Sequence, residues 1–342
     1  MISVVIPVYN RENLLPLTLR SLLQQSLPAG EIIVVDDGST DSTVDVAESF
    51  GAPVRVIRQE NAGPAAARNR GFNESRGDFI HFFDSDDIAL PNKHEIQLKA
   101  LEDGGADIAF GPWVKGRFSE GGFEAENLIL QQNGLPAGDL VKALLSNWSV
   151  VPHACLFKRS IVEKVGGFPE ELFGTEDQMM FLNCLLAGAK VVHSPGTLEL
   201  YRSDNTGKIT DSSLDEGRRR HLINWARFLV LAEATCRSKG VDARKWFGFR
   251  CRISELLRDF GQFHIEEAEI ENQLQVILDG TVCHWKYQLS REFERKRQGF
   301  EARLGRGRAH SCFRVGPMDE EQRIAMKVWI TQESEYERSG RL

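Results

Sequence analysis

Four residues, Asp84-Ser85-Asp86-Asp87, gather carboxylates directly behind the apolar run Phe79-Ile80-His81-Phe82-Phe83. A buried strand that ends in adjacent acids sets like charges side by side, and their repulsion is costly unless a cation or a hydrogen-bonding ligand sits among them. Hard oxygen ligands of this kind suit Mg²⁺ or Mn²⁺. Such ions take one or two protein carboxylates and leave their other positions to water and phosphate oxygens, so the implied ligand is a metal-bound diphosphate. A second acid pair, Glu176-Asp177, stands before the apolar helical segment Met179 to Leu186. By itself it reads as first-turn negative charge favoured by the helix dipole.

The elements that must position these acids alternate. Strand patterns run Ser3 to Val8, Glu31 to Asp36, Val54 to Arg58 and Asp78 to Asp84, each apolar and β-branched or aromatic, as a parallel sheet buried on both faces requires. Between them the first helix follows Asn10 as its N-cap and repeats Leu15, Leu19, Leu22 and Leu23 on one face. The second follows the Ser39-Thr40-Asp41 turn, and the third starts near Gly63-Pro64, with proline suited to a first turn. A fourth, containing Ile96 and Leu101, follows Ile88-Ala89-Leu90-Pro91, and Asp87 is either its cap or part of the acid site. In open α/β sheets ligands sit beyond the carboxyl ends of the strands. That rule draws Pro7-Val8-Tyr9-Asn10, Asp36-Asp37-Gly38-Ser39 and Asp84-Ser85-Asp86-Asp87 around one crevice. Receiver domains also gather aspartates at strand ends, but they are shorter and lack the second acid pair.

Val4-Val5-Ile6-Pro7-Val8-Tyr9-Asn10, Glu31-Ile32-Ile33-Val34-Val35-Asp36-Asp37-Gly38-Ser39-Thr40-Asp41, Asn61-Ala62-Gly63-Pro64-Ala65-Ala66-Ala67-Arg68-Asn69 and Phe83-Asp84-Ser85-Asp86-Asp87 resemble the family 2 glycosyltransferases. The likeness is dense over the first third of the chain. It continues more loosely to about Arg202, through Val165-Gly166-Gly167-Phe168 and Thr175-Glu176-Asp177. It implies the GT-A fold, a Rossmann-like, mostly parallel nucleotide-binding sheet continuous with an acceptor-binding half, and sugar transfer with inversion from a nucleotide-activated donor. Carried over residue by residue, Tyr9 lies near the base, Asp36 accepts its imide hydrogen, Arg68 helps hold the nucleotide, and Pro7 shapes the loop. Asn10, Asp37 and Ser85 complete the donor set. Asp84 is assigned to ribose or metal, Asp86 to the metal that bridges the diphosphate, and Asp177 to the general base, with Glu176 as the runner-up. Uracil offers one N–H between two carbonyls, which suits Asp36, but guanine also offers N–H groups to an aspartate. The family makes uridine the first choice.

One departure stands out. Many relatives place a histidine soon after a tyrosine-arginine pair, and Tyr201-Arg202-Ser203-Asp204-Asn205-Thr206-Gly207-Lys208 has none. Arg202 and Lys208 are read there as diphosphate contacts on a polar lid segment. On the acceptor side the candidates are Trp113, Trp148, His153 and Gly167, the last with a conformational role as its alternative.

The 342 residues, 42% hydrophobic and 27% charged, suffice for one large α/β unit plus an appendage. The expected division is a catalytic domain over 1–210, split near 110 into nucleotide and acceptor halves, and a mainly helical region over 211–342. In that region Leu222, Trp225, Leu229 and Ala232 share a face, Cys251 to Phe263 continues the helical pattern, and Arg291 to Arg308 is highly charged. It packs on the catalytic domain, forms a homodimer interface or carries an accessory surface. A net charge of −7 argues against nucleic acid as a partner. Arg218-Arg219-Arg220 and Arg295-Lys296-Arg297 leave open a peripheral contact with anionic headgroups near a lipid-linked acceptor. No apolar run is long enough to span a bilayer, and Met1-Ile2-Ser3 enters the first strand without a signal-peptide pattern. The expected location is therefore cytoplasmic, with the inner membrane face as the alternative. Six dispersed cysteines form no close pair of the zinc or redox kind.

These readings converge on an inverting, Mn²⁺- or Mg²⁺-dependent glycosyltransferase. It would move a sugar from a nucleotide-diphosphate sugar, UDP-linked by preference, to a hydroxyl of a glycan or lipid-linked acceptor in cell-surface polysaccharide synthesis. The rival is a catalytically inactive nucleotide-sugar-binding or scaffold protein of the same fold. Nucleotidyl transfer needs a triphosphate cradle, and no glycine-rich phosphate loop of that kind is present.

Overall fold

Strands β1 (Ile2–Val8), β2 (Glu31–Asp36), β3 (Val54–Arg58) and β4 (Phe79–Phe82) pair in parallel in the order β3-β2-β1-β4. The computed structural model describes residues 1–119, 122–146, 148–203 and 215–278. Helices α1 (Leu15–Leu23), α2 (Thr43–Ser49) and α3 (Pro64–Glu74) connect the strands. Both faces of the sheet are covered, as its apolar strands require. Val4, Ile6, Ile32 and Val34 pack with Leu15, Leu19 and Leu22 of α1, while Ile33 and Val35 pack with Ala67 of α3 on the other face. Leu15, Leu19 and Leu22 have no exposed surface. Leu19→Ala is accordingly expected to remove about 2–5 kcal/mol of stability.

The start of α1 differs from expectation. Asn10 has φ of 50° and the helix begins only at Leu15, so Asn10 is not its cap. A left-handed backbone is one that asparagine tolerates, and it is not the extended conformation of an N-cap. Its side chain instead joins two strand ends: the Thr40 N–H donates to Asn10 Oδ1 at 2.8 Å, and the Asn10 N–H donates to Ser39 Oγ at 2.9 Å. Behind the Ser39-Thr40-Asp41 turn, Asp41 Oδ1 accepts the Thr43 N–H at 3.0 Å as α2 begins. Helix α3 starts at Pro64, as expected. A Cβ on its Gly71 would stand 2.3 Å from Val5 Cγ1, so the missing side chain lets α3 press against β1.

Beyond β4 come β5 (Ile88–Ala89), α4 (Lys93–Gly104), β6 (Ile108–Phe110), β7 (Trp113–Ser119), β8 (Gly122–Leu130) and α5 (Leu140–Ser146). Then follow β9 (Cys155–Lys158), α6 (Arg159–Val165), α7 (Glu176–Leu186), β10 (Val191–His193) and β11 (Glu199–Arg202). Strand β9 enters the main sheet antiparallel to both neighbours, and the seven strands run β3-β2-β1-β4-β9-β6-β10. A second sheet has the order β5-β11-β7-β8.

The chain divides into two compact units. One holds both sheets, in residues 1–135 and 150–203. The other holds residues 136–149 and 215–278, so α5 groups with the helices α8 (Asp215–Ser238), α9 (Phe247–Gln262) and α10 (Ala268–Leu278). Phe228, Leu229 and Ala232 of α8, Phe249 and Ile253 of α9 and Leu274 of α10 are buried in that unit, matching the helical patterns read around Leu229 and Cys251. Among the described residues no helix is long and apolar enough to cross a membrane. Lys208 and the stretches around Arg295-Lys296-Arg297 and Arg291 to Arg308 lie outside the described residues.

Candidate functional site

The carboxyl ends of β1 and β2 supply the first two loops. Tyr9, just past β1, is 46% exposed, whereas Asp36 at the end of β2 is buried and accepts the Ser39 N–H on Oδ1 at 3.2 Å. Asp37 uses both oxygens within the protein: Gln59 Nε2 and the Ala62 N–H donate to Oδ1 at 2.8 and 2.9 Å, and the Gly63 N–H donates to Oδ2 at 2.9 Å. These bonds tie the β2 loop to the approach of α3. Asp37 thus fixes the position of Pro64 and, one turn later, of Arg68.

Arg68 reaches the acid cluster behind β4. Its Nη2 donates to Asp84 Oδ1 at 2.7 Å, while His153 Nδ1 lies 3.3 Å from Asp84 Oδ2 and 3.1 Å from Asp87 Oδ2. Asp87 is not a helix cap, because β5 follows it and Asn92 precedes α4. Its Oδ1 accepts the Arg202 N–H at 2.9 Å, and Arg202 Nε donates to the Asp86 carbonyl at 3.3 Å. Burial by itself would raise the Asp84 pKa, but the Arg68 guanidinium and His153 hold it below the usual carboxylate range. Burial would also lower His153, yet Asp87, Asp84 and Glu199 raise it to about 9, so its ring is a cation at neutral pH.

His153 is therefore reassigned. It was expected to touch an acceptor, but it has no exposed surface and lies under the acid cluster, its ring 5.4 Å from that of Tyr201. It arrives from the turn that precedes β9. One ligand atom each from Asp84, Asp87 and His153 falls within 4.8 Å of the others, a group that suits Mn²⁺ or Mg²⁺ through its carboxylates only, since a protonated imidazole has no lone pair for a metal. Asp86 is outside that group. Asp87 and His153 are enclosed, while the Asp84 side chain stays 27% exposed and Asp86 is half-buried. Ions of this kind keep several waters, and the more open side chains of Asp84 and Asp86 leave room for them.

The second acid pair meets the first through the same arginine. Arg68 Nη1 donates to Glu176 Oε1 at 2.9 Å, and its Cζ stands 5.3 Å from the Phe168 ring centre. Helix α7 begins at Glu176, three residues ahead of the apolar run, so both acids occupy its first turn. Asp177 Oδ1 accepts the Gln178 N–H at 2.7 Å. Burial, then the neighbouring Glu176 charge, raises its pKa to about 7 against the pull of Arg68. A carboxylate poised near neutrality can accept a proton efficiently at working pH.

Gly167 has φ of 79°, and a Cβ there would stand 2.4 Å from Asn69 Oδ1. That oxygen accepts the Phe168 N–H at 2.8 Å, and Asn69 Nδ2 donates to the Phe168 carbonyl at 2.8 Å. The glycine is conformational, allowing α3 to hold the loop that precedes α7. Trp148, expected at an acceptor, is 1% exposed and belongs to the helical unit, where it lines a cavity with Trp225, Leu229 and Arg252. Trp113 is likewise buried, its ring 5.7 Å from that of Tyr201.

Sequence reasoning missed Lys93 and Glu199, a fully buried ion pair joined through Lys93 Nζ and Glu199 Oε1. The available signal was strand alternation. Glu199 sits two residues before Tyr201 and so shares its face of β11.

The sequence pattern of "Glycosyl transferase family 2" matches residues 3–166. Glycosyltransferase GlyG of Streptococcus pneumoniae is 30% identical over 280 residues, spanning 77% of this chain and 88% of GlyG. GlyA of the same organism is 32% identical over 219 residues, 59% of this chain but only 30% of GlyA. Among solved structures, residues 1–349 of S. aureus TarS with UDP-GlcNAc align with a TM-score of 0.52 at 18% identity, over 81% of this chain and 90% of that one. The mannosyltransferase PcManGT of Pyrobaculum calidifontis, solved with GDP-Man and Mn²⁺, aligns with a TM-score of 0.50 at 15% identity, over 98% of this chain and 86% of that one. At such identities these two likenesses speak to the fold, which is GT-A.

Proposed function

We propose that this chain, which belongs to the family 2 glycosyltransferases, moves a sugar from a nucleotide-diphosphate sugar to an acceptor hydroxyl by a single inverting displacement. The observation that carries this reading is the fork of Arg68, which brings the Asp84 cluster and the Glu176-Asp177 pair to one place while their proton affinities differ in opposite directions. One carboxylate stays ionised among cations, and the other is held near neutrality to take a proton.

Asp177 accepts the proton of the acceptor hydroxyl as that oxygen attacks the anomeric carbon from the face opposite the leaving group. Glu176, locked to Arg68, keeps Asp177 oriented and desolvated. Asp36 accepts an N–H of the base and Tyr9 lies beside it, with Pro7 and Asn10 shaping that loop. Asp84 contacts the ribose or the ion, Ser85 closes the loop, and Arg202 reaches the diphosphate. Asp86 and Asp84 would hold Mn²⁺ or Mg²⁺, which when bound stabilises the charge that develops on the departing diphosphate. UDP-linked sugars are the favoured donors, in keeping with UDP-GlcNAc in the TarS complex, and GDP-linked sugars are the competitor, in keeping with GDP-Man in PcManGT. The acceptor is a glycan or lipid-linked hydroxyl in cell-surface polysaccharide synthesis.

Calorimetric titration with UDP-, GDP- and dTDP-sugars in Mn²⁺ tests the reading, comparing the unmodified protein with Asp86→Ala. Metal-dependent binding of one donor, lost in the variant, is the expected result. Folded protein that binds no donor would overturn it.

A further inference from the structure

The floor beneath the acid cluster is made of charge. Lys93 opens α4 and Glu199 opens β11. Both lie at 0% exposure, as does His153. Glu199 Oε1 contacts Lys93 Nζ, and its Oε2 stands 3.8 Å from His153 Nε2. On the other side of the same ring, Nδ1 meets Asp84 and Asp87. The backbone of His153 is gripped as well: His81 Nε2 lies 3.0 Å from its carbonyl oxygen, which can only accept, so that nitrogen carries the proton.

Such a row of enclosed charges is poor material for stability alone. A buried ion pair replaced by apolar side chains of similar volume is often neutral or stabilising, and its best-attested use is to fix a unique arrangement. Here the arrangement has a direction. Glu199 lies in the middle of a sheet, opposite Ala89 of β5 and Trp113 of β7, and β5 starts immediately after Asp87. Strand β11 thus touches the acid cluster twice, through the Arg202 N–H on Asp87 and through Glu199 behind His153.

We propose that Glu199, anchored by Lys93, is a positioning residue for the donor site: it holds the Nε2 side of His153 so that the Nδ1 side remains between Asp84 and Asp87. Among the described residues His153 Nε2 makes no hydrogen bond, and the Glu199 carboxylate, 3.8 Å away, is what stands behind that side of the ring. With the ring fixed, Asp84 is gripped on one oxygen by Arg68 and on the other by His153. Its remaining open surface is turned to a single arrangement before any donor arrives. The inference rests on the donor-site reading given above.

The test is the double variant Lys93→Met/Glu199→Met, which removes both charges of the pair, roughly preserves volume and leaves neither a lone lysine nor a lone glutamate buried, while taking the carboxylate from behind His153. The expected result is cooperative unfolding close to that of the unmodified protein, with metal-dependent donor Kd and donor KM raised roughly 10–100-fold. Acceptor KM should stay unchanged. If the double variant does not unfold cooperatively, Glu199→Gln, nearly isosteric, is measured for the same constants with the same expected rise. Donor binding unchanged in a folded variant would overturn the positioning role and leave the donor site standing. A uniform rise in both KM values would also overturn it, as the mark of general loosening. No donor binding by the unmodified protein would overturn the donor-site reading, and this inference with it.

Discussion

The acid cluster after β4 and the acid pair that opens α7 are made of the same side chains, share one arginine, and behave in opposite ways. Asp84 is surrounded by Arg68 and His153, and its charge is secure even though burial works against it. Asp177 has burial and the adjacent Glu176 charge against ionisation, and Arg68 opposes them without winning. The difference teaches that residue type did not assign these roles. The number and placement of cations did: two on Asp84, and for the second pair one guanidinium nitrogen that is spent on Glu176.

The sharpest way to break this comparison is Asp177→Asn. Transfer is expected to fall about 10²–10⁴-fold with donor binding retained, because only the proposed base is removed. Calorimetry beside initial-rate measurements separates the two. An equal loss of donor binding would show that the two acid groups are one site with one role.

Next in size is Arg68→Met, which deprives both groups of their common cation. Leaving buried carboxylates unpaired is expected to cost about 3–5 kcal/mol in denaturant unfolding. Arg68→Lys should recover only part of that, since an ammonium cannot reach two carboxylates as a planar fork does.

The pH dependence sharpens the contrast further. As the proposed base, Asp177 acts only when unprotonated, so kcat/KM should rise with pH through about 7, and Glu176→Gln should move that limb to lower pH by removing the like charge. Stability runs the other way. A carboxyl whose pKa is higher in the folded protein than in the unfolded chain stabilises most below its unfolded value, and that contribution is lost as pH rises through about 7. Asp177→Asn should therefore gain stability relative to the unmodified protein as pH is raised from about 4 to about 7, as followed by thermal unfolding.

The smallest effect concerns the clasp between the two groups. Gly166 and Gly167 both have positive φ, 80° and 79°, but only at Gly167 would a Cβ meet the Asn69 side chain. Gly166→Ala is expected to cost about 1 kcal/mol and Gly167→Ala distinctly more, since the latter also displaces the bonds from Asn69 to Phe168. Equal costs would show that Asn69 does not couple α3 to the loop before α7.

Much of this was legible from residue order. The four parallel strands, the start of α3 behind Gly63, the neighbouring ends of β1, β2 and β4 and the acid residues themselves follow from apolar runs, turn chemistry and adjacency, all of which act within a few residues. Boundaries set by backbone conformation were not legible, as with Asn10, whose left-handed turn delays α1 and sends its side chain across to the β2 loop. Nor were partnerships between distant residues. His153 joins Asp84 and Asp87 because β9 enters antiparallel between β4 and β6, and Lys93 meets Glu199 because β11 returns beside β5. No periodic pattern records such encounters. Sequence alone thus determined which side chains could do chemistry and which strand ends would present them. Tertiary structure decided which of them stay charged, because that depends on how close the buried cations come and how far water is kept away.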